Sequence, residues 1–105
     1  MFTRNVTMRL KSNSVKEFTQ TFEKEVLPLL RKQAGFQDEL TLVVPGGNEA
    51  VGISMWDSKE NADTYERGMY PQVLKVLAKV VEGTPRVQTY EVCNSTFHKI
   101  AALAV

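Results

Sequence analysis

Six side chains in this chain of 105 residues have the chemistry to hold or act on a small molecule. Trp56, the only tryptophan, can stack on an aromatic molecule or donate its indole N–H. Asn5 offers an amide that both donates and accepts hydrogen bonds. Tyr65 and Tyr70 each carry a hydroxyl on a ring. His98, the only histidine, has a pKa suited to a general base, but no carboxylate or cysteine partner is evident near it. Cys93, the only cysteine, reads best as a strand thiol. Each has a plain structural alternative. Trp56 reads equally as a packed ring anchoring its strand, Asn5 as a strand-face amide, and Tyr65 and Tyr70 as core rings. No Ser-His-Asp pattern, phosphate-binding loop or dinucleotide fingerprint occurs, and no cluster has metal-ligand spacing.

The elements that must position these groups follow from periodicity. Alternation predicts a first strand over Phe2 to Leu10, with Phe2, Val6, Met8 and Leu10 on one face, interrupted there by Arg4, and Thr3, Asn5, Thr7 and Arg9 on the other. After a turn at Lys11 to Asn13, Ser14 and Glu17 form a capping box. Val15, Phe18, Phe22, Val26, Leu29 and Leu30 then recur at helical spacing. Pro28 should kink that helix, and Gly35 should stop it. Phe36 to Val44 reads as a second strand, with Leu40, Leu42 and Val44 on one face. Pro45-Gly46-Gly47-Asn48 is a hairpin turn into a third strand, where Val51, Ile53 and Met55 alternate with Gly52 and Ser54, and Trp56 ends it.

Asp57-Ser58-Lys59-Glu60 supplies a second capping box, and the helix it opens ends at Gly68. Pro71 starts another helix, whose stripe is Val73, Leu74, Leu77, Val80 and Val81, closed by Gly83. A fourth strand runs from Arg86 to about Phe97, with Tyr90 and Val92 on one face and Val87, Cys93 and Phe97 on the other. The order β-α-β-β-α-α-β is that of an α+β, ferredoxin-like domain spanning 1–105, with a four-stranded antiparallel sheet. Helices cover one sheet face. No second set exists for the other, so a homodimer packing sheet against sheet is expected.

Composition narrows the function. A formal net charge of +1 gives no electrostatic case for nucleic acid or an anionic membrane surface. The third strand, Ala50 to Met55, lacks the aromatic platform of RNA-recognition domains. No stretch reaches the roughly 20 apolar residues of a membrane span, and the start of the chain has no signal-peptide run, so a cytoplasmic protein is expected.

Gly35-Phe36, Trp56-Asp57-Ser58-Lys59-Glu60 and Val87-Gln88-Thr89-Tyr90-Glu91-Val92 carry a resemblance. Through them, over nearly the whole chain, the sequence resembles the antibiotic biosynthesis monooxygenases, dimeric α/β-barrels. The resemblance implies a cofactor-independent monooxygenase, taking O2 and a small aromatic or polycyclic phenolic substrate. It implies no cofactor, because the substrate anion itself can give an electron to oxygen. It assigns catalytic roles to Trp56, Asn5 and Tyr65, and a substrate pocket between sheet and helices to Tyr70, Met69 and Leu74. Trp56 matches the tryptophan of phenol-oxidising members. Gly52 stands where those members have asparagine, Ala62 near their tyrosine and Val76 near their arginine. Against haem-degrading members, Asn5 matches the strand asparagine and Tyr65 replaces a helix tryptophan. Lys75 falls at the histidine ligand, so haem ligation is not implied. The alternative is a non-catalytic dimeric barrel that binds a small apolar ligand or serves a stress-related role.

Overall fold

The computed structural model describes residues 1–97. Strands β1 (Phe2–Leu10), β2 (Phe36–Val43), β3 (Glu49–Trp56) and β4 (Val81–Glu91) form an antiparallel sheet in the order β2-β3-β1-β4. Helices α1 (Val15–Thr21), α2 (Leu27–Arg31), α3 (Lys59–Gly68) and α4 (Tyr70–Leu77) complete the ferredoxin-like α+β fold. None of the described helices is long and apolar enough to cross a membrane.

Register decides what each face carries. Val6 lies opposite both Gly52 and Val87, and Arg4 opposite both Ser54 and Thr89. On β2, Glu39 lies opposite Ser54 and Thr41 opposite Gly52. Residues directly opposite one another share a face, so Arg4, Val6, Met8, Glu39, Ser54 and Trp56 all point toward the helices. Phe18, Phe22, Val26, Leu30, Tyr65, Val73 and Leu77 come down from the helices to close the core.

Several local expectations need correction. Ser14 does not cap α1 with its side chain. Its hydroxyl donates instead to the Ser12 carbonyl at 3.3 Å. The cap of α3 is Ser58 rather than Asp57, with Asn61 N donating to Ser58 Oγ at 3.2 Å. The kink expected at Pro28 becomes a π-helical turn, Phe22–Val26, joining α1 to α2. Pro28 has no N–H for the carbonyl four residues earlier, and its ring crowds that carbonyl, so the irregularity falls on the turn before it.

The last helix stops at Leu77, not Gly83, and Val81 already begins β4, opposite Leu10. Gly83 takes φ 66°, and the β1–β4 register shifts between Thr7 and Arg9, as a bulge requires. β4 therefore starts and ends earlier than expected, leaving Cys93 and Phe97 beyond it. At Gly35, φ is 78° and an added Cβ would collide with Asp57 and Asn61. That glycine lets the chain leave α2 beneath the start of α3.

Candidate functional site

The site is built around a residue that looks like a misfit in its strand. Arg4 occupies a position on the apolar face of β1 and is only 2% exposed. Its Cζ sits 4.3 Å from the Tyr70 ring centroid and 5.1 Å from that of Tyr65. Both lie within the range at which a ring face attracts a cation. Nη2 reaches Glu66 Oε1 at 3.4 Å, a long contact to a carboxylate that is itself half exposed. The Nε atom is buried with no hydrogen-bond partner. A guanidinium stays charged under all ordinary conditions, and burying it without full pairing is unfavourable.

The same corner contains a second unpartnered polar atom, the buried hydroxyl of Tyr70. Burial raises the Tyr70 pKa, opposed by the nearby Arg4 cation. Tyr65 is pushed higher still for the same reason, with Arg4 again pulling the other way. Both rings are therefore neutral donors at ordinary pH.

These groups line a cavity between sheet and helices with an interior of about 30 Å3, room for about one water-sized group, so a small-molecule ligand has to enlarge it. Val6, Met8, Phe22, Val26, Leu30 and Leu77 make its walls apolar, while Arg4, Glu39, Ser54, Tyr65 and Tyr70 bring polar atoms to it. Gly52 forms part of the floor. A Cβ added there would stand 3.6 Å from Met8 Cε and 3.7 Å from Glu39 Oε2, so the missing side chain leaves room for one small group. Thr41 Oγ1 donates to Glu39 Oε2 at 2.7 Å. Burial raises the Glu39 pKa, and this hydrogen bond opposes the shift.

Of the site residues expected from sequence, Tyr65 and Tyr70 line this cavity. Trp56 does not. It is fully buried, stacks on Tyr65 at 4.9 Å and 29°, and meets Phe36 edge-on at 5.6 Å and 72°. Its Nε1 donates to Ser54 Oγ at 2.9 Å, so the indole N–H is already used. Trp56 supports the aromatic wall from behind. Asn5 is a clear correction, because alternation sends it to the sheet face away from the helices, opposite Ile53. There its Oδ1 is buried and unpartnered, but it is separated by the sheet from Tyr65 and Trp56. Met69 packs against the core without lining the cavity, and Leu74 lines a shallow hollow with Pro85 and Thr84 instead. Cys93 is exposed. His98 lies outside the described residues.

Sequence reasoning passed over Arg4 and Glu39. The signal for Arg4 was present, as a charge interrupting an otherwise apolar strand face. Glu39 had no such signal, since it alternates with leucines as any half-buried strand residue does.

No family profile and no curated protein matches the chain. Solved structures do. A protein of unknown function from Nitrosomonas europaea is 14% identical, with 90% of this chain and 91% of that one covered, at TM-score 0.75. A monooxygenase from the gene ActVA-Orf6 of Streptomyces coelicolor, in complex with nanaomycin D, is 15% identical, with 85% and 84% covered, at TM-score 0.70. An antibiotic biosynthesis monooxygenase is 11% identical, with 88% and 98% covered, at TM-score 0.69. The chain thus has the fold of antibiotic biosynthesis monooxygenases, as its sequence resemblance implied.

Proposed function

We propose that the chain is a member of the antibiotic biosynthesis monooxygenases that oxidises a small aromatic or polycyclic phenolic substrate without a cofactor. The substrate is bound as its anion in the cavity beneath the helices, whose lining side chains move apart to admit it. The observation that carries this reading is Arg4, a buried guanidinium with an unpartnered Nε among aromatic walls. A planar anion placed there would accept hydrogen bonds from Arg4 and the Tyr70 hydroxyl and would lie against apolar side chains. The nanaomycin D complex of the Streptomyces coelicolor monooxygenase supports a small molecule as the occupant.

The reaction balances without a protein-borne redox group. Electrons pass from the substrate anion to O2. One oxygen atom becomes a carbonyl on the ring carbon, and the other leaves as water with the two hydrogens that carbon lost. The protein contributes binding, orientation and stabilisation of the anion.

The functional unit is proposed to be a homodimer. Leu40 and Leu42 on the helix-free face are 44% and 48% exposed, next to the partly buried Val51, Ile53 and Met55, an apolar surface suited to a second copy. A second reading, a dimeric barrel that binds the same ligand class without reacting, is favoured by Trp56. Its N–H is occupied by Ser54 and is not free to act on substrate.

Oxygen uptake with a panel of anthrones and hydroxyquinols separates the two. Uptake above the protein-free rate, reduced by a factor of 10 or more in Arg4→Met, is the expected result. Saturable binding with no uptake across the panel would favour the non-reacting barrel.

A further inference from the structure

Resting on that reading of the cavity, the geometry points to Glu39 as its proton acceptor: the carboxylate takes a proton from a ring methylene conjugated with a carbonyl through the flanking aromatic rings, and the resulting enolate oxygen faces Arg4. The C–H bond breaks, its electron pair delocalises into the carbonyl, and the proton comes to rest on a Glu39 oxygen. No redox partner is needed for this step.

Four features of the structure converge on this assignment. Glu39 and Arg4 line the same cavity, yet the ion pair of Arg4 is with Glu66, and Glu39 has none among the described residues. The carboxylate is therefore not neutralised by the cation it works beside. Thr41 fixes Oε2 by a 2.7 Å hydrogen bond, which leaves Oε1 for a proton. Gly52 opens the space directly beside the carboxylate, because its missing side chain would have stood 3.7 Å from Oε2. Finally, Glu39 and Phe22 line both the cavity and an outer groove between β2 and the π-helical turn. A proton taken inside can be passed to solvent through that groove.

The environment also sets a useful acidity. Burial raises the Glu39 carboxyl above its ordinary value, which makes it a stronger base than an exposed glutamate. The groups facing it on the cavity side are Arg4 from β1, Tyr65 from α3 and Tyr70 from α4. Glu23, Lys24 and Arg31 line the groove side, from the π-helical turn and α2.

The test separates proton transfer from oxygenation by excluding O2. Anthrone is incubated anaerobically in D2O, and deuterium entry at its ring methylene is followed by mass spectrometry. Binding is followed in parallel by Trp56 fluorescence. Wild type should accelerate exchange, with a rate that rises with pH to a plateau. Glu39→Gln should still bind anthrone but exchange at least about 100-fold more slowly, without the pH inflection. Glu39→Asp, which keeps a carboxylate set back by one methylene, should exchange at an intermediate rate with the inflection retained. A purely structural role for Glu39 would not move that inflection.

Exchange in Glu39→Gln equal to wild type would overturn the assignment while leaving the oxygenase reading intact. Normal exchange without O2 uptake would uphold Glu39 and sink the oxygenase reading. Absence of both binding and exchange in wild type, with anthrone and a hydroxyquinol alike, would overturn both.

Discussion

Beneath its helices, the sheet carries Arg4, Glu39 and Ser54 among apolar neighbours, and every one of these polar groups lines a single cavity. On its other face it carries Leu40, Leu42, Val51, Ile53 and Met55, with Tyr90 on β4, and none of these side chains lines that cavity. The face that the helices bury thus encloses a charge, whereas the bare face is largely apolar over β2 and β3 and carries charges, such as Arg9 and Arg86, on β1 and β4. A buried cation needs a partner of opposite charge, and a bare apolar face needs cover. The contrast is the ground on which we propose chemistry for the first face and assembly for the second.

The contrast breaks most severely at Trp56. Trp56→Ala removes the ring that holds Tyr65 and Phe36 in place, and should destabilise the fold by about 3–5 kcal/mol, read as a lower urea midpoint. On the opposite face, Leu42→Lys should act on assembly rather than folding. In light scattering the mass should drop from twice 11.8 kDa to 11.8 kDa, with an unchanged far-UV circular dichroism spectrum. A wild type that already runs at the single-chain mass would remove the assembly half of the comparison.

Gly52→Ala probes the cavity floor. The new methyl meets Met8 and Glu39 at ordinary contact distances, so the fold should gain about 0.5–1 kcal/mol while ligand affinity falls. A gain in both would mean that the space beside Glu39 is not where the ligand sits.

The smallest expected effect is a slope of stability against pH. Burial holds the Glu39 proton more tightly in the folded state than in the unfolded chain, whose carboxyl titrates near 4.5. Between that value and the raised one, the unfolded state binds fewer protons. Stability therefore falls as pH rises through this window. Glu39→Gln should remove that part of the slope, so its urea midpoint should gain on wild type as pH rises above the ordinary carboxyl value of 4.5. A wild-type slope unchanged by the substitution would show that Glu39 is not the buried acid.

Much of the fold was legible because it rests on short-range pattern. The alternation of Phe2, Val6, Met8 and Leu10 and the Pro45-Gly46-Gly47-Asn48 turn define β1 and the β2–β3 hairpin without further help. What alternation could not supply was agreement between strands. On β1 the apolar set faces the helices, but on the edge strand β2 the leucines face away, and Glu39 and Thr41 face in. Only the pairing of Glu39 with Ser54 and Ser54 with Arg4 brings the two charges to one face. Asn5 shows the reverse. Its alternation with Val6 and Met8 already separated it from a pocket under the helices, and the family likeness alone had put it there. Trp56 and Ser54, two residues apart on one strand, necessarily share a face. Their hydrogen bond turned an expected reactive group into a support. The early end of α4 and the bulge at Gly83 depend on the pairing of Val81 with Leu10, which no local signal announces.

The most direct measurement uses the methionines as reporters of the two faces. Met8 Cε lies at the cavity floor, and Met55 lies on the helix-free face. In protein labelled with 13C at the methionine methyls, titration with anthrone should shift the Met8 signal saturably and leave Met55 unmoved, and Arg4→Met should abolish the Met8 response. A response of Met55 with Met8 unchanged would place the ligand on the wrong side of the sheet and contradict the account.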